Sequence, residues 1–168
     1  MSIERLAHAS GAPGDILIAR LDATLRSYAP DAFAGLAIAP DGAIEVYIGG
    51  FETAASELVS ATVAETQAAL AIGCSLPIVR LIPGQRNSLA TLESVHGALR
   101  ARYHELRAVG IQVVRSGVDV RLNRLHIGVS HLTPETEMSL QAQFGAELIN
   151  MGEDEPFYGY VEGRNPAT

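Results

Sequence analysis

Asp119 and His126 stand either side of a short turn in Gly117-Val118-Asp119-Val120-Arg121-Leu122-Asn123-Arg124-Leu125-His126. If these arms pair with Val120 opposite Leu125, the carboxylate faces the imidazole. Such a pair can orient a general base, and Ser116 or Ser130 would be the nucleophile. No Gly-x-Ser-x-Gly elbow accompanies them. A cross-strand charge pair on a solvated face accounts for the same residues. The other histidines form no ligand set. His104-Glu105 begins like a zinc-protease helix, but the fourth residue on is Ala108. His96 and His104 lie eight apart, about 80° around a helix, and too far along it to share an ion. His126 and His131 flank a strand end.

Phosphate and thiol chemistry have less support. The basic residues are all Arg, so no Walker lysine exists. Gly49-Gly50 leads toward a helix without the spacing of a dinucleotide loop. Glu153-Asp154-Glu155 lacks a calcium-loop frame and reads as a solvated acidic cluster. Cys74, the single cysteine, follows Ala71-Ile72-Gly73 and is expected to be a small buried hydrophobe. Twelve Arg against nineteen acids give a net charge of −7, which argues against a phosphate-backbone binder. Tyr47, Phe51 and the tail aromatics are too scattered to stack bases. No cofactor or metal is implied. The longest early apolar run, Ile16 to Ala19, is short of a signal-peptide core, and nothing approaches a membrane span. The chain as written reads as soluble and cytoplasmic; a processed fragment would be secreted.

These side chains need a scaffold, and 48% hydrophobic composition without Trp implies an aliphatic core. A helix is expected from Asp15 to Pro30, with Leu17, Leu21, Thr24, Leu25 and Tyr28 on one face. Two half-buried strands follow, Ala34-Leu36-Ile38 and Ile44-Val46-Ile48. Pro40-Asp41-Gly42 suits a three-residue hairpin loop that pairs Ile38 with Ile44 and Leu36 with Val46. Residues 52–71 read as a helix. Leu76 to Ile82 reads as a strand that starts at Pro77 and is broken by Pro83-Gly84. Asn87 or Ser88 caps one long helix, 88–108, with Leu89, Leu92, Val95, Leu99, Tyr103 and Leu106 on a stripe. Extended segments follow at 111–114 and 117–120. A return strand carries Leu125, Ile127 and Val129 inward. Thr133 caps a helix with Pro134 at its first position, bearing Met138, Leu140, Ala142 and Phe144. Glu147 to Met151 is the last strand.

The second half repeats the first at a shift of 81 residues. Ile44, Val46 and Ile48 fall on Leu125, Ile127 and Val129. Gly42 falls on Asn123, two types that tolerate a left-handed turn. Ala37 and Ala39 fall on Val118 and Val120, and Thr53 on Pro134. The expected fold is therefore α+β: two ββαβ-like halves with antiparallel sheets packed against helices, joined by a long central helix. The parts are residues 1–32, an N-terminal segment with a covering helix; 33–84, the first half; 85–152, the linking helix and second half; and 153–168, a flexible tail.

Two stretches carry a likeness. One is Phe33-Ala34-Gly35-Leu36-Ala37-Ile38 with Asp41-Gly42 and Ile44-Glu45-Val46-Tyr47-Ile48. The other is Asn87-Ser88-Leu89-Ala90-Thr91-Leu92, then Gly117-Val118-Asp119-Val120 and Asn123-Arg124-Leu125-His126-Ile127-Gly128-Val129. Over residues 33 to about 151 the chain resembles the pro-regions of chymotrypsin-like bacterial serine proteases of the α-lytic protease and streptogrisin type. The resemblance implies a non-enzymatic intramolecular chaperone. It would bind a serine protease by strand addition, promote its folding, and inhibit it through its own C-terminal tail. Leu148, Ile149, Phe157, Tyr158 and Tyr160 would be the docking residues. Two alternatives remain at this stage: a small-molecule-binding regulatory domain with its ligand between the halves, and a hydrolase using Asp119 and His126.

Overall fold

The computed structural model describes residues 12–50, 53–70 and 74–155. Helix α1 spans Pro13–Tyr28. It begins two residues before Asp15 because Pro13 suits the first turn, where its missing N–H has no helical partner to lose. Leu17, Leu21 and Leu25 are fully buried. Tyr28 is 76% exposed, so the apolar stripe ends one turn earlier than its periodicity implied.

Strands β1 (Phe33–Ile38) and β2 (Ile44–Gly49) form the expected hairpin, with Ile38 opposite Ile44 and Leu36 opposite Val46. The Ala39 N–H donates to the Ala43 carbonyl at 2.8 Å and closes the loop over Pro40-Asp41-Gly42. Gly42 takes φ 83°, a left-handed conformation that costs glycine little. Helix α2 (Thr53–Ala69) follows, and then β3 (Val79–Gln85) lies parallel to β2. The sheet order is β1-β2-β3, so an antiparallel hairpin gains a parallel third strand and the sheet is mixed. Pro83-Gly84 lies inside β3 and does not end it. Between Ile82 and Gln85 two residues, Pro83 and Gly84, oppose the single Ile48 of β2, and this bulge absorbs the missing N–H and the φ of 87° at Gly84.

The long linking helix is two helices. α3 runs Leu89–Ala101, capped by Ser88 Oγ, which accepts from the Thr91 N–H at 3.2 Å. α4 runs Tyr103–Ala108, and Arg102 between them has φ −102° and ψ 4°. Leu99 and Leu106 are both buried on either side of this break.

The second half contains β4 (Val113–Asp119), β5 (Arg124–Val129), α5 (Pro134–Phe144) and β6 (Ile149–Glu153), with sheet order β4-β5-β6 and β6 parallel to β5. Val118, not Val120, opposes Leu125. The register differs from the expected one by two residues, which preserves the face of every side chain and changes every cross-strand partner. Thr133 Oγ1 accepts from the Thr136 N–H at 3.2 Å and caps α5. Leu140 and Phe144 are buried, while Met138 is 64% exposed and Ala142 is exposed.

The two halves are thus ββαβ units of one plan. Ile44, Val46 and Ile48 and their counterparts Leu125, Ile127 and Val129 are all at most 2% exposed. Both hairpins break register at the equivalent place, opposite Ile48/Tyr47 in one and Val129/Gly128 in the other. The second hairpin loop is one residue longer, so β1 maps onto β4 at a shift of 80, with Ile38 in the place of Val118. Two apolar clusters result, one under each sheet, and Val118 packs against both. Helix α3 packs on β1, β4 and β5 and so holds the halves together.

Candidate functional site

Each three-stranded sheet has two edges, and among the described residues no strand pairs the outer side of β1, β3, β4 or β6. The Leu125 N–H donates to the Leu148 carbonyl at 2.8 Å, so it points to β6. By antiparallel alternation its partner Val118, and Ser116 two residues back, turn their N–H and C=O groups away from β5. The Ile44 N–H likewise donates to the Ile78 carbonyl at 2.8 Å, and Ile38 and Leu36 turn theirs away from β2. One of these outward groups is occupied: the Ile38 carbonyl accepts from Arg121 Nη2 at 2.8 Å.

Arg121 belongs to the β4–β5 turn, which rests on the first sheet. Its Nε lies 3.6 Å from Glu45 Oε2, and Glu45 accepts from the Tyr47 hydroxyl at 2.9 Å. Burial first, and the neighbouring Glu45 second, push the Tyr47 phenol above its ordinary pKa. Gly35, opposite Tyr47 in the hairpin, has φ 129°, and a Cβ there would collide with the Val120 side chain. A second contact ties the turn to the start of α3. Asn123, 7% exposed with φ 53°, accepts on Oδ1 from the N–H groups of Arg86 and Asn87 at 2.9 and 2.8 Å.

Beside this junction lies an open cleft of about 640 Å³, lined by Ala37 of β1, residues 115–122, His126 and Asn150. It therefore sits at the seam of the halves. Gly117, opposite His126, contributes no side chain to it. The hydrogen bonds of Ser116 run the other way, toward the helices: its Oγ lies 2.9 Å from His96 Nε2 and 2.5 Å from the Tyr103 hydroxyl.

The Asp119–His126 pair is not formed. Asp119 opposes Arg124, and its Oδ1 accepts from the Arg121 and Leu122 N–H groups, both at 3.0 Å, as a turn-stabilising carboxylate. His126 Nε2 instead meets Asp154 Oδ2 at 3.1 Å, with Arg115 Nη2 3.3 Å from the same ring nitrogen. Asp154 reaches it across Gly128, where any Cβ would strike that carboxylate. Only the period-two alternation of β5 hinted at this, by placing His126 and Gly128 on one face. Ser130 is half-buried, and its N–H donates to the Gln112 carbonyl at 3.0 Å.

Of the docking residues implied by the resemblance, Ile149 is 2% exposed and Leu148 packs against the second core. What β6 offers outward is its backbone edge. Phe157, Tyr158 and Tyr160 lie outside the described residues, as does Phe51. Cys74 is exposed, not buried. It lies between α2 and β3, and its carbonyl accepts from Gln67 Nε2 at 3.1 Å. Among the described residues no three His, Cys, Asp or Glu side chains are grouped to hold a metal, and no helix is long and apolar enough to cross a membrane.

No family model, curated protein or solved structure matches the chain. Its reading therefore rests on the geometry of the edges and the seam.

Proposed function

We propose that the chain is a non-enzymatic protein-interaction module of the protease pro-region type, which binds a partner by adding the partner's strand to one of its own sheet edges. The observation that carries this reading is the outward set of backbone groups on β4. Exposed strand edges supply main-chain hydrogen bonds to any extended segment of matching length. Two short sheets with a fixed seam make a rigid template, which lowers the ordering cost that falls on the partner. The partner class is a chymotrypsin-like serine protease, whose β-rich halves have strand edges of their own. The test is refolding of such a denatured bacterial protease with and without the full chain, beside inhibition of the mature enzyme. Faster recovery and slowed peptide hydrolysis are expected. A chain that neither binds nor inhibits any member of the class, nor speeds its recovery, ends this reading.

The seam cleft favours one second reading, a small ligand held against Ala37, His126 and Asn150 between the halves. Thermal shifts with small polar compounds, lost on Asn150→Leu, distinguish it from strand addition.

A further inference from the structure

The charge along the β4 edge differs in sign from the rest of the molecule. Six of the twelve Arg fall within residues 96–124, against only Glu105 and Asp119, in a chain whose net charge is −7. Two of the six are brought to β4 by helix geometry. His96 and Tyr103 both reach Ser116 of β4. Arg100 follows His96 by four residues on α3, and Arg107 follows Tyr103 by four on α4, so each shares the flank of a residue that touches β4. Both are exposed, and among the described residues neither has a carboxylate within ion-pair distance. Arg115, on β4 itself, is 67% exposed and only partly engaged by Asp154 at 3.2 Å. The outward N–H and C=O groups of Ser116 and Val118 thus run between Arg100 and Arg107 on the helix side of the sheet and Arg115 on the side of His126 and Asp154.

We infer that Arg100, Arg107 and Arg115 select an acidic extended peptide segment for the β4 edge. The inference rests on the strand-addition reading and names the partner's chemistry. The backbone groups would pair with any strand, so they carry no sequence preference. Charges at the rim of such a contact set which strand is accepted and how fast it arrives. A basic segment would meet three guanidinium groups at close range. Asp or Glu at alternate positions of the added strand would meet Arg100 and Arg107 on the helix side of the sheet, and Asp or Glu on its other face would meet Arg115. The overall negative charge of the chain disfavours nucleic acid as the occupant.

The test is fluorescence anisotropy of an end-blocked peptide alternating Val and Glu, titrated with the full chain at low salt. Binding is expected, weakening as salt rises, and the same peptide with Lys for Glu is expected not to bind. Arg100→Glu with Arg107→Glu is expected to weaken the Glu peptide about tenfold or more, with an unchanged circular dichroism spectrum because both side chains are exposed. Affinity unchanged by this reversal, equal binding of the Lys peptide, or no binding of the Glu peptide overturns the inference. So does an oligothymidylate that binds in its place with the same arginine dependence. A Glu peptide methylated on alternate backbone amides separates the two claims. If methylation abolishes binding while Glu and Lys peptides bind alike, strand addition stands and the acidic preference falls. If methylation is harmless and the arginine dependence persists, the acidic preference stands and strand addition falls.

Discussion

Asn87 and Asn123 grip each other across the seam: Asn87 Nδ2 donates to the Asn123 carbonyl at 3.0 Å, and Asn123 Nδ2 donates to the Asn87 carbonyl at 2.7 Å. The exchange fixes the start of α3 against the second hairpin turn. Because α3 also packs on β1, it sets the angle between the two sheets.

Asn123→Ala is expected to cost about 2–4 kcal/mol. It strips acceptors from two backbone N–H groups and forces alanine into the left-handed region. Asn123→Gly removes the same side-chain bonds but accepts the φ of 53°, and should recover about 1 kcal/mol of that loss. Urea unfolding of both variants checks the order. Equal stabilities would mean that the backbone conformation contributes nothing.

Gly35 and Val120 make the other close approach of the seam. Gly35→Ala adds a Cβ against Val120 and places alanine at φ 129°, so a loss of about 2 kcal/mol or more is expected. Val120→Ala in the same chain should restore part of it, since it relieves the collision but not the backbone strain. A double-mutant cycle in urea measures the coupling. Strict additivity of the two losses would show that the side chains do not meet.

The sequence made much of this scaffold legible and little of its junction. Ile38–Ile44 and Leu36–Val46 pairing followed from the turn chemistry of Pro40-Asp41-Gly42, because a local turn dictates a local register. The inward set Leu125, Ile127 and Val129 followed from alternation alone. The second register did not, because a shift of two residues leaves the apolar pattern unchanged, so Asp119 and His126 looked like partners when neither faces the other. Helix periodicity likewise runs smoothly through Arg102, where the helix is interrupted. The Asn87–Asn123 and His126–Asp154 contacts join residues 36 and 28 apart. No short-range pattern encodes such contacts.

Acid should loosen the first half from α3. Arg26 of α1 meets Glu93 of α3 at 2.7 Å and holds that carboxyl below its usual pKa. The unfolded chain takes up this proton near the ordinary glutamate value, about 4.3. The folded chain resists it to lower pH. The stabilisation is therefore complete above the unfolded value and is lost as pH falls through the folded one. Both side chains are more than 40% exposed, so solvent screening limits the effect to about 0.5 kcal/mol. Glu93→Gln should lower stability by that amount at pH 7 and by progressively less as pH falls below the ordinary glutamate range. A difference that does not shrink in acid would mean that packing, not charge, is lost.

Native-state labelling of Cys74 tests the segment before β3. The thiol is exposed, and the only cysteine in the chain. It should react with a thiol-specific disulfide reagent in the folded protein at a rate within about a factor of ten of that in denaturant. Protection by orders of magnitude would restore the buried site that its apolar neighbours suggested.

Proline placed on β4 discriminates between the two sides of that strand. Val118 directs its N–H away from β5, whereas Gly117 opposes His126 at a position that turns its N–H toward β5. Val118→Pro therefore removes a donor that no strand among the described residues uses, a substitution edge strands accept. It is expected to cost less than Gly117→Pro, chiefly the packing of the Val118 side chain against the two apolar clusters, while abolishing capture of an extended partner at β4. Gly117→Pro removes a ladder bond inside the hairpin and is expected to destabilise the second half by about 3 kcal/mol. Unfolding curves and peptide titrations on the same two variants give four readings. A Val118→Pro chain that still binds the partner peptide with full affinity moves the docking edge off β4, and a Val118→Pro chain as unstable as Gly117→Pro shows that the outward N–H is already paired within the fold.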